Sequence, residues 1–271
     1  MESSNPFPRG ENRKEINEYL KEQRDKFKSR GKGNEGHYDF TDSALDNIGD
    51  YGEEKPFLET FMYVIPDSTL QRYIEKTLEV RKGKAIGVEF GGTGSKLFSD
   101  FSPGFFAKSV AISLADHRSE HNLKEKIERD KRINHQLLIG DIFSPDTYKS
   151  LDKILDGEKV DLIIERMIKG LEFVPPDPYI VSKILNIWYN LLREGGVMFI
   201  QTPPIFNNLL ETWVKKIRKE FEGKIEIKYK LGADYNCTIN SSAFRLNKLK
   251  GAPNKLPLLD TQTVKNTNEY F

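Results

Sequence analysis

The sequence predicts an α/β fold: a mostly parallel sheet covered by helices on both faces. Three observations predict it. Short apolar runs alternate with longer amphipathic stretches from residue 85 to residue 201, and parallel strands need crossover helices of that kind to join them. Gly91, Gly92 and Gly94 stand directly after the first of these runs, where a ligand loop of such a sheet would lie. The last two runs, Ile225 to Tyr229 and Ser242 to Leu246, alternate apolar and polar residues, which suits an antiparallel pair at one sheet edge.

The elements follow in order. Residues 1–52 form a polar leader in which Asn12 to Phe27 fits a helix, with Ile16, Tyr19, Leu20 and Phe27 as a thin apolar stripe. Its basic run over residues 21–32 (Lys21, Arg24, Lys26, Lys28, Arg30, Lys32) suits a solvated face, or a mobile flap that closes over a cofactor or meets an anionic substrate. Residues 53–250 read as the α/β domain. Within it, the aromatic-rich segment Phe57 to Val64 is expected to pack on the core. Asp67 and Ser68 supply a helix N-cap, and Leu70, Tyr73, Ile74 and Leu78 recur at helical spacing.

The first strand is Ala85 to Phe90, with β-branched Ile86 and Val88. Ser109 to Leu114 is the second, with a charged helix through Ser119 to Arg132 after it. Gln136 to Ile139 is the third, and Val160 to Glu165 the fourth, reached through a helix near Tyr148 to Leu155. Pro178 to Leu192 makes a long helix with Ile180, Ile184, Leu185 and Trp188 on one side, and Gly195 and Gly196 are expected to stop it. Val197 to Gln201 is the fifth strand, and Leu209 to Phe221 an amphipathic helix. Residues 251–271 form a tail without periodicity.

Composition narrows the function. The 271 residues contain 37% hydrophobic and 31% charged residues, so a sizeable core sits under a very polar surface. Lysine and arginine number 42 against 41 aspartates and glutamates, and this balance gives whole-chain electrostatics no reason to favour a polyanion. Cys237 is the one cysteine, which excludes an intrachain disulfide and a cysteine-built zinc site and suits a reducing compartment. The start, MESSNPFPRG, lacks the basic-then-apolar pattern of a secretory signal. No apolar run approaches the roughly 18 to 20 residues that span a bilayer. The expectation is a soluble, cytoplasmic protein.

Glycines after a strand let the chain turn sharply and let a ligand approach the backbone, while a helix starting there would aim free N–H groups into the crevice. An ordinary tight turn is the plain alternative. Polar groups at the other strand ends decide what such a crevice would hold. Asp116 follows Gly94 at about the 20-residue spacing of a ribose-binding acid. Gly140-Asp141-Ile142 ends the third strand, and Glu165-Arg166 ends the fourth. With Glu89, four consecutive strands carry an acid at one sheet edge.

These residues resemble the class I S-adenosylmethionine-dependent methyltransferases across Pro66 to Lys248. The matches are VEFGGTG at the first strand, Asp116 after the second, the Gly140-Asp141 pair after the third, and LREGGVMFIQT through the fifth. That last piece looks like the family's leucine-x-proline-glycine-glycine turn, with Glu194 in place of proline. EFGGTG is one residue shorter than the common glycine signature. The resemblance implies a Rossmann-like seven-stranded sheet of order 3-2-1-4-5-7-6 with its last strand reversed, and S-adenosyl-L-methionine as cofactor. It implies that Glu89, Phe90, Gly91, Gly92 and Gly94 face the methionine part of the cofactor. Asp116, with His117 beside it, would hold the ribose, Asp141 and Ile142 the adenine, and Glu165 or Arg166 would line the acceptor side. A small-molecule acceptor is favoured.

Two other functions compete. A nicotinamide-dependent oxidoreductase shares the sheet, but its G-x-G-x-x-G turn needs glycine where Thr93 stands. A non-catalytic nucleic-acid-binding protein would use residues 21–32 and the basic helix carrying Lys215, Lys216, Arg218 and Lys219; a solvated helix surface is the plain reading of both. Val174-Pro175-Pro176-Asp177 reads as a loop before a helix and Thr202-Pro203-Pro204 as an exit turn. His117 and His121 have metal-ligand spacing without a nearby third ligand.

Overall fold

The computed structural model describes residues 59–66, 69–92, 94–114, 123–165, 178–202, 207–231 and 242–258, with Glu18, Lys21, Glu22 and Asp25. Those last four are helical and exposed, spaced along one helix face inside the helix expected for the leader. The other basic residues of 21–32 lie outside the described residues.

The strands are β1 (Ala85–Phe90), β2 (Phe106–Ser113), β3 (His135–Ile139), β4 (Val160–Glu165), β5 (Leu192–Thr202), β6 (Ile225–Lys230) and β7 (Ser242–Lys248). They form one sheet in the order β3-β2-β1-β4-β5-β7-β6. β1 to β5 pair in parallel, while β7 runs antiparallel to both β5 and β6. This is the Rossmann-like strand order, last strand reversed, that the methyltransferase resemblance implies. The helices are α1 (Leu70–Thr77), α2 (Ser95–Ser99), α3 (Leu123–Arg132), α4 (Pro145–Leu155), α5 (Pro178–Leu191) and α6 (Asn207–Glu220).

Side chains of alternate parity on β1 enter two separate cores. Ile86, Val88 and Phe90 join Leu151 of α4, Trp188 of α5 and Trp213 of α6. Ala85 lies in the other core with Phe61, Leu70, Ile74, Phe98 and Phe199. Burial on both faces explains why β1 and β4 read as mainly apolar runs, interrupted only by Glu89, Asp161 and Glu165, rather than as alternating ones. The aromatic segment before α1 is a 3₁₀ turn, Glu59–Val64, and it packs as expected: Phe61 meets Phe199 edge-on at 5.4 Å between ring centroids. Asp67 and Ser68 lie outside the described residues; the N-cap of α1 is Thr69, whose hydroxyl accepts the Arg72 N–H at 3.2 Å.

Several boundaries differ from expectation, among them that of β5, which begins at Leu192 rather than Val197. β2 begins at Phe106, where half-exposed residues hide the strand from an apolar count. α4 begins at Pro145, because proline in a first turn gives up no hydrogen bond. α5 ends at Leu191, before Gly195 and Gly196. The two glycines serve a bulge instead: Val160 pairs with Leu192 but Leu162 pairs with Val197. Gly195 turns that bulge at φ +81°. A Cβ on Gly196 would stand 2.8 Å from the Leu192 side chain and 3.0 Å from the Asp161 carbonyl oxygen.

Residues 251–258 have no regular structure, as expected of the tail, yet they dock on the helices. Leu256 is buried, Tyr189 donates its hydroxyl to Pro253 O at 2.8 Å, and the Trp213 indole donates to Pro257 O at 2.8 Å. Among the described residues no helix is long and apolar enough to cross a membrane.

Candidate functional site

Strand order reverses between β1 and β4, since the chain builds outward to β2 and β3 before returning. Sheets of this type bind ligands in the crevice outside the carboxyl ends of their strands at that reversal. Gly91 turns the chain off β1 at φ +85°, and its N–H donates to Ile112 O at 2.9 Å. The next residue of β2, Ser113, accepts the Gly140 N–H at 2.8 Å. The glycine loop and the Gly140-Asp141 loop therefore hang from consecutive carbonyls of β2, on one rim.

Gly94 begins α2 with φ +66°. A Cβ there would stand 2.7 Å from His135 Cε1 and 3.0 Å from the Ala111 Cβ, so this glycine brings the helix start against the sheet. His135 is buried, with Nδ1 2.9 Å from the Ser109 hydroxyl and its ring 5.6 Å from that of Phe98. α2 is only five residues long and has no side-chain cap bond. It thus offers a single turn, not the extended helix dipole that the sequence invites one to expect. Gly92 is buried beside Gly91.

Glu89 and Glu165 are both 0% exposed at the ends of β1 and β4. Glu89 pairs with Ile164, whose core holds Phe199 and Leu70, whereas Glu165 pairs with Phe90. Because neighbouring residues alternate across a sheet, the two carboxylates share a rim but project from opposite faces. Acids on consecutive strands do not converge merely by ending together.

Asp141 is half-buried, and its Oδ1 accepts the Phe143 N–H at 2.9 Å. Its own N–H donates to the Thr147 hydroxyl at 2.9 Å. Ile142 is buried, and its carbonyl accepts the Tyr148 hydroxyl at 2.8 Å. That hydroxyl also accepts the Trp188 indole N–H at 3.1 Å, and Trp188 stacks on Phe90 with centroids 4.5 Å apart and planes at 21°. Burial pushes the Tyr148 phenol far above the usual tyrosine range; the Trp188 hydrogen bond opposes this and the Asp141 charge adds to it. The chain Ile142–Tyr148–Trp188–Phe90 ties the two rim loops together through α4 and α5. The sequence shows Trp188 only as a residue on an apolar helix face and Tyr148 only as a helix start. Their pairing is a tertiary fact.

Asp116, His117, His121, Arg166, Cys237 and both proline-pair motifs from Val174 and Pro203 onward lie outside the described residues. The basic stretch of α6 is partly committed. Glu211 pairs with Lys215 at 2.9 Å and holds its ammonium above the ordinary lysine value. Arg218 donates to Ile227 O at 3.0 Å and lies 5.3 Å over the Tyr229 ring. Lys216 and Lys219 are exposed.

No protein-family model and no curated protein sequence matches the chain. Among solved structures it is similar to an rRNA methylase from Streptococcus thermophilus, at 15% identity over 69% of this chain and 100% of that one, with a TM-score of 0.42. It is similar to the N-methyltransferase NodS from Bradyrhizobium japonicum at 14% identity over 66% and 94% of the two chains, with a TM-score of 0.41. A third likeness is an S-adenosylmethionine-dependent methyltransferase from Clostridium acetobutylicum, at 14% identity over 66% and 89%, with a TM-score of 0.41. The strand order and rim geometry described above stand independently of these likenesses.

Proposed function

We propose that the chain is an S-adenosylmethionine-dependent methyltransferase acting on a small-molecule acceptor. The observation that carries the reading is the strand order with its reversed last strand, which brings the Gly91 turn and the Asp141 loop to adjacent rungs of one rim. The described residues fit an adenosine-bearing cofactor. The turn at Gly91 leaves backbone at the crevice, Asp141 offers a half-buried carboxylate, and Ile142 offers an apolar wall. Asp116 with His117 would hold the ribose, and Glu165 or Arg166 would line the acceptor side. Glu89, Phe90, Gly91, Gly92 and Gly94 would form the methionine end, with Gly94 acting through packing.

When bound, the cofactor supplies a methyl group already activated on a sulfonium. The chain's part is to orient the acceptor in line with it and to exclude water. A general base is required only for an acceptor that must lose a proton. Residues 1–52 are assigned to a covering flap, residues 53–250 to the α/β domain and residues 251–271 to a tail. The nucleic-acid reading is weakened at α6, where Lys215 and Arg218 are engaged within the fold.

Calorimetric titration with S-adenosylmethionine and S-adenosylhomocysteine tests the reading. Wild type is expected to bind both, and Asp116→Ala and Asp141→Ala to weaken binding about tenfold or more, roughly 1.4 kcal/mol each. A wild-type chain that binds neither rejects it. Salt-dependent filter binding of RNA, with affinity falling steeply as salt rises, would favour the nucleic-acid reading instead.

A further inference from the structure

The amino end of the sheet holds a second concavity, far from the Gly91 rim. A cavity of about 380 Å³ opens between α2, the turn leading into β2, and the last turn of α3. Its floor is aromatic. Phe98, Phe101, Phe105 and Phe106 line it, with Phe106 edge-on to Phe101 at 4.8 Å and to Phe105 at 5.2 Å between centroids. Its wall carries Arg129 and Arg132, three residues apart and hence on one side of α3.

Charge in the cavity is one-sided, because no carboxylate is among its lining residues. Acids around it are engaged: Glu75 accepts the Ser102 N–H at 2.7 Å, Glu128 pairs with Lys131 at 2.7 Å, and Asp100 and Asp130, beside lining residues in the chain, have partners, as does Arg129. Arg132 is exposed and makes no ion pair or hydrogen bond among the described residues. Among the described residues its charge is unpartnered, at the edge of a pocket that sets phenyl rings beside Ser99, Ser102 and Asn134.

We propose that this cavity is a second ligand site, which takes a small monoanion with a flat apolar body, an aryl carboxylate in chemical class. Phenyl rings receive such a body edge-on or offset, and the planar guanidinium fork matches a carboxylate with two parallel hydrogen bonds. The volume lies at the lower end of small-molecule sites, which suits a single ring with a short acid chain and excludes a dinucleotide. Ligands of the reaction crevice belong at the carboxyl rim; this one belongs at the opposite end, so both places are filled independently.

Fluorescence titration of the full chain with 8-anilinonaphthalene-1-sulfonate, an aromatic anion, tests the proposal. Wild type is expected to enhance the dye with one site per chain. 3-Phenylpropionate is expected to displace it at least tenfold better than 3-phenylpropanamide does. Arg132→Glu, with unchanged near-ultraviolet circular dichroism, should weaken dye binding at least tenfold. Ser102→Trp, which puts an indole into the cavity, should abolish it, while Asp141→Ala at the far rim should leave the titration unchanged. No enhancement by wild type, equal displacement by acid and amide, wild-type affinity in Arg132→Glu, or loss of binding in Asp141→Ala would each overturn it.

Discussion

The Asp161 carboxylate accepts the Ile86 backbone N–H at 2.8 Å, joining the starts of β4 and β1 through a side chain. Its other oxygen lies 3.0 Å from the Nε of both Arg81 and Arg193. One fully buried acid thus gathers the turn before β1, two strands and the bulge of β5. Removing one partner from a buried ion pair leaves uncompensated charge behind. Asp161→Ala should therefore cost about 3–5 kcal/mol, read as a lower urea midpoint. Asp161→Asn, which keeps an acceptor for Ile86, should cost less; equal losses would argue against the backbone contact.

Gly94→Ala introduces a methyl where His135 and Ala111 already stand, at a backbone angle that side chains rarely adopt. Overpacking of this kind costs about 1–3 kcal/mol. The expected result is a lower thermal midpoint together with a moved His135 imidazole resonance. An unmoved resonance would place the strain elsewhere.

Tyr148→Phe keeps the ring but leaves the Ile142 carbonyl and the Trp188 indole N–H without their partner. Unpaired buried polar groups cost about 1–3 kcal/mol. The prediction is a stability loss of that size with a shift in tryptophan emission. S-adenosylhomocysteine binding should weaken as well, because the Asp141 loop loses its anchor. Retained stability and affinity would count against the anchor.

Glu75 supplies a pH dependence with a definite sign. Burial by itself would raise its carboxyl, but hydrogen bonds from Ser102 and Gln71 and the charge of Lys82 lower it below its ordinary value of 4.5. In acid the unfolded chain then binds the proton first. The contribution is fully present above pH 4.5 and is lost as pH falls through the lower, folded value. Urea midpoints between about pH 6 and pH 3 should show wild type losing its margin over Glu75→Gln as acid is added. A constant margin would contradict the Ser102 contact.

The strands were legible in the sequence because burial on both faces writes Ala85 to Phe90 and Val160 to Glu165 as apolar runs broken only by the acids Glu89, Asp161 and Glu165. The reversed edge pair was legible from alternation in Ile225 to Tyr229. What could not be read is which face each rim residue takes, since that depends on register between strands far apart in sequence. Glu89 and Glu165 look alike as strand-end acids, and only the pairing of Glu89 with Ile164 and of Glu165 with Phe90 separates them. Gly195-Gly196 resembles a helix stop because a bulge packed on Asp161 asks for the same residue. The Tyr148–Trp188–Phe90 chain joins three elements, and no local pattern encodes it.

The docking of residues 251–258 sets a practical limit on shortening the chain. Cutting at Leu249 would strip acceptors from one phenol and one indole, both in the interior, and would also uncap Asn186, which exchanges hydrogen bonds with Leu256 at both of its amide atoms. An expression fragment trimmed to the last strand would come out sticky along α5 and α6, whereas one ending just past Leu258 would keep that seam closed.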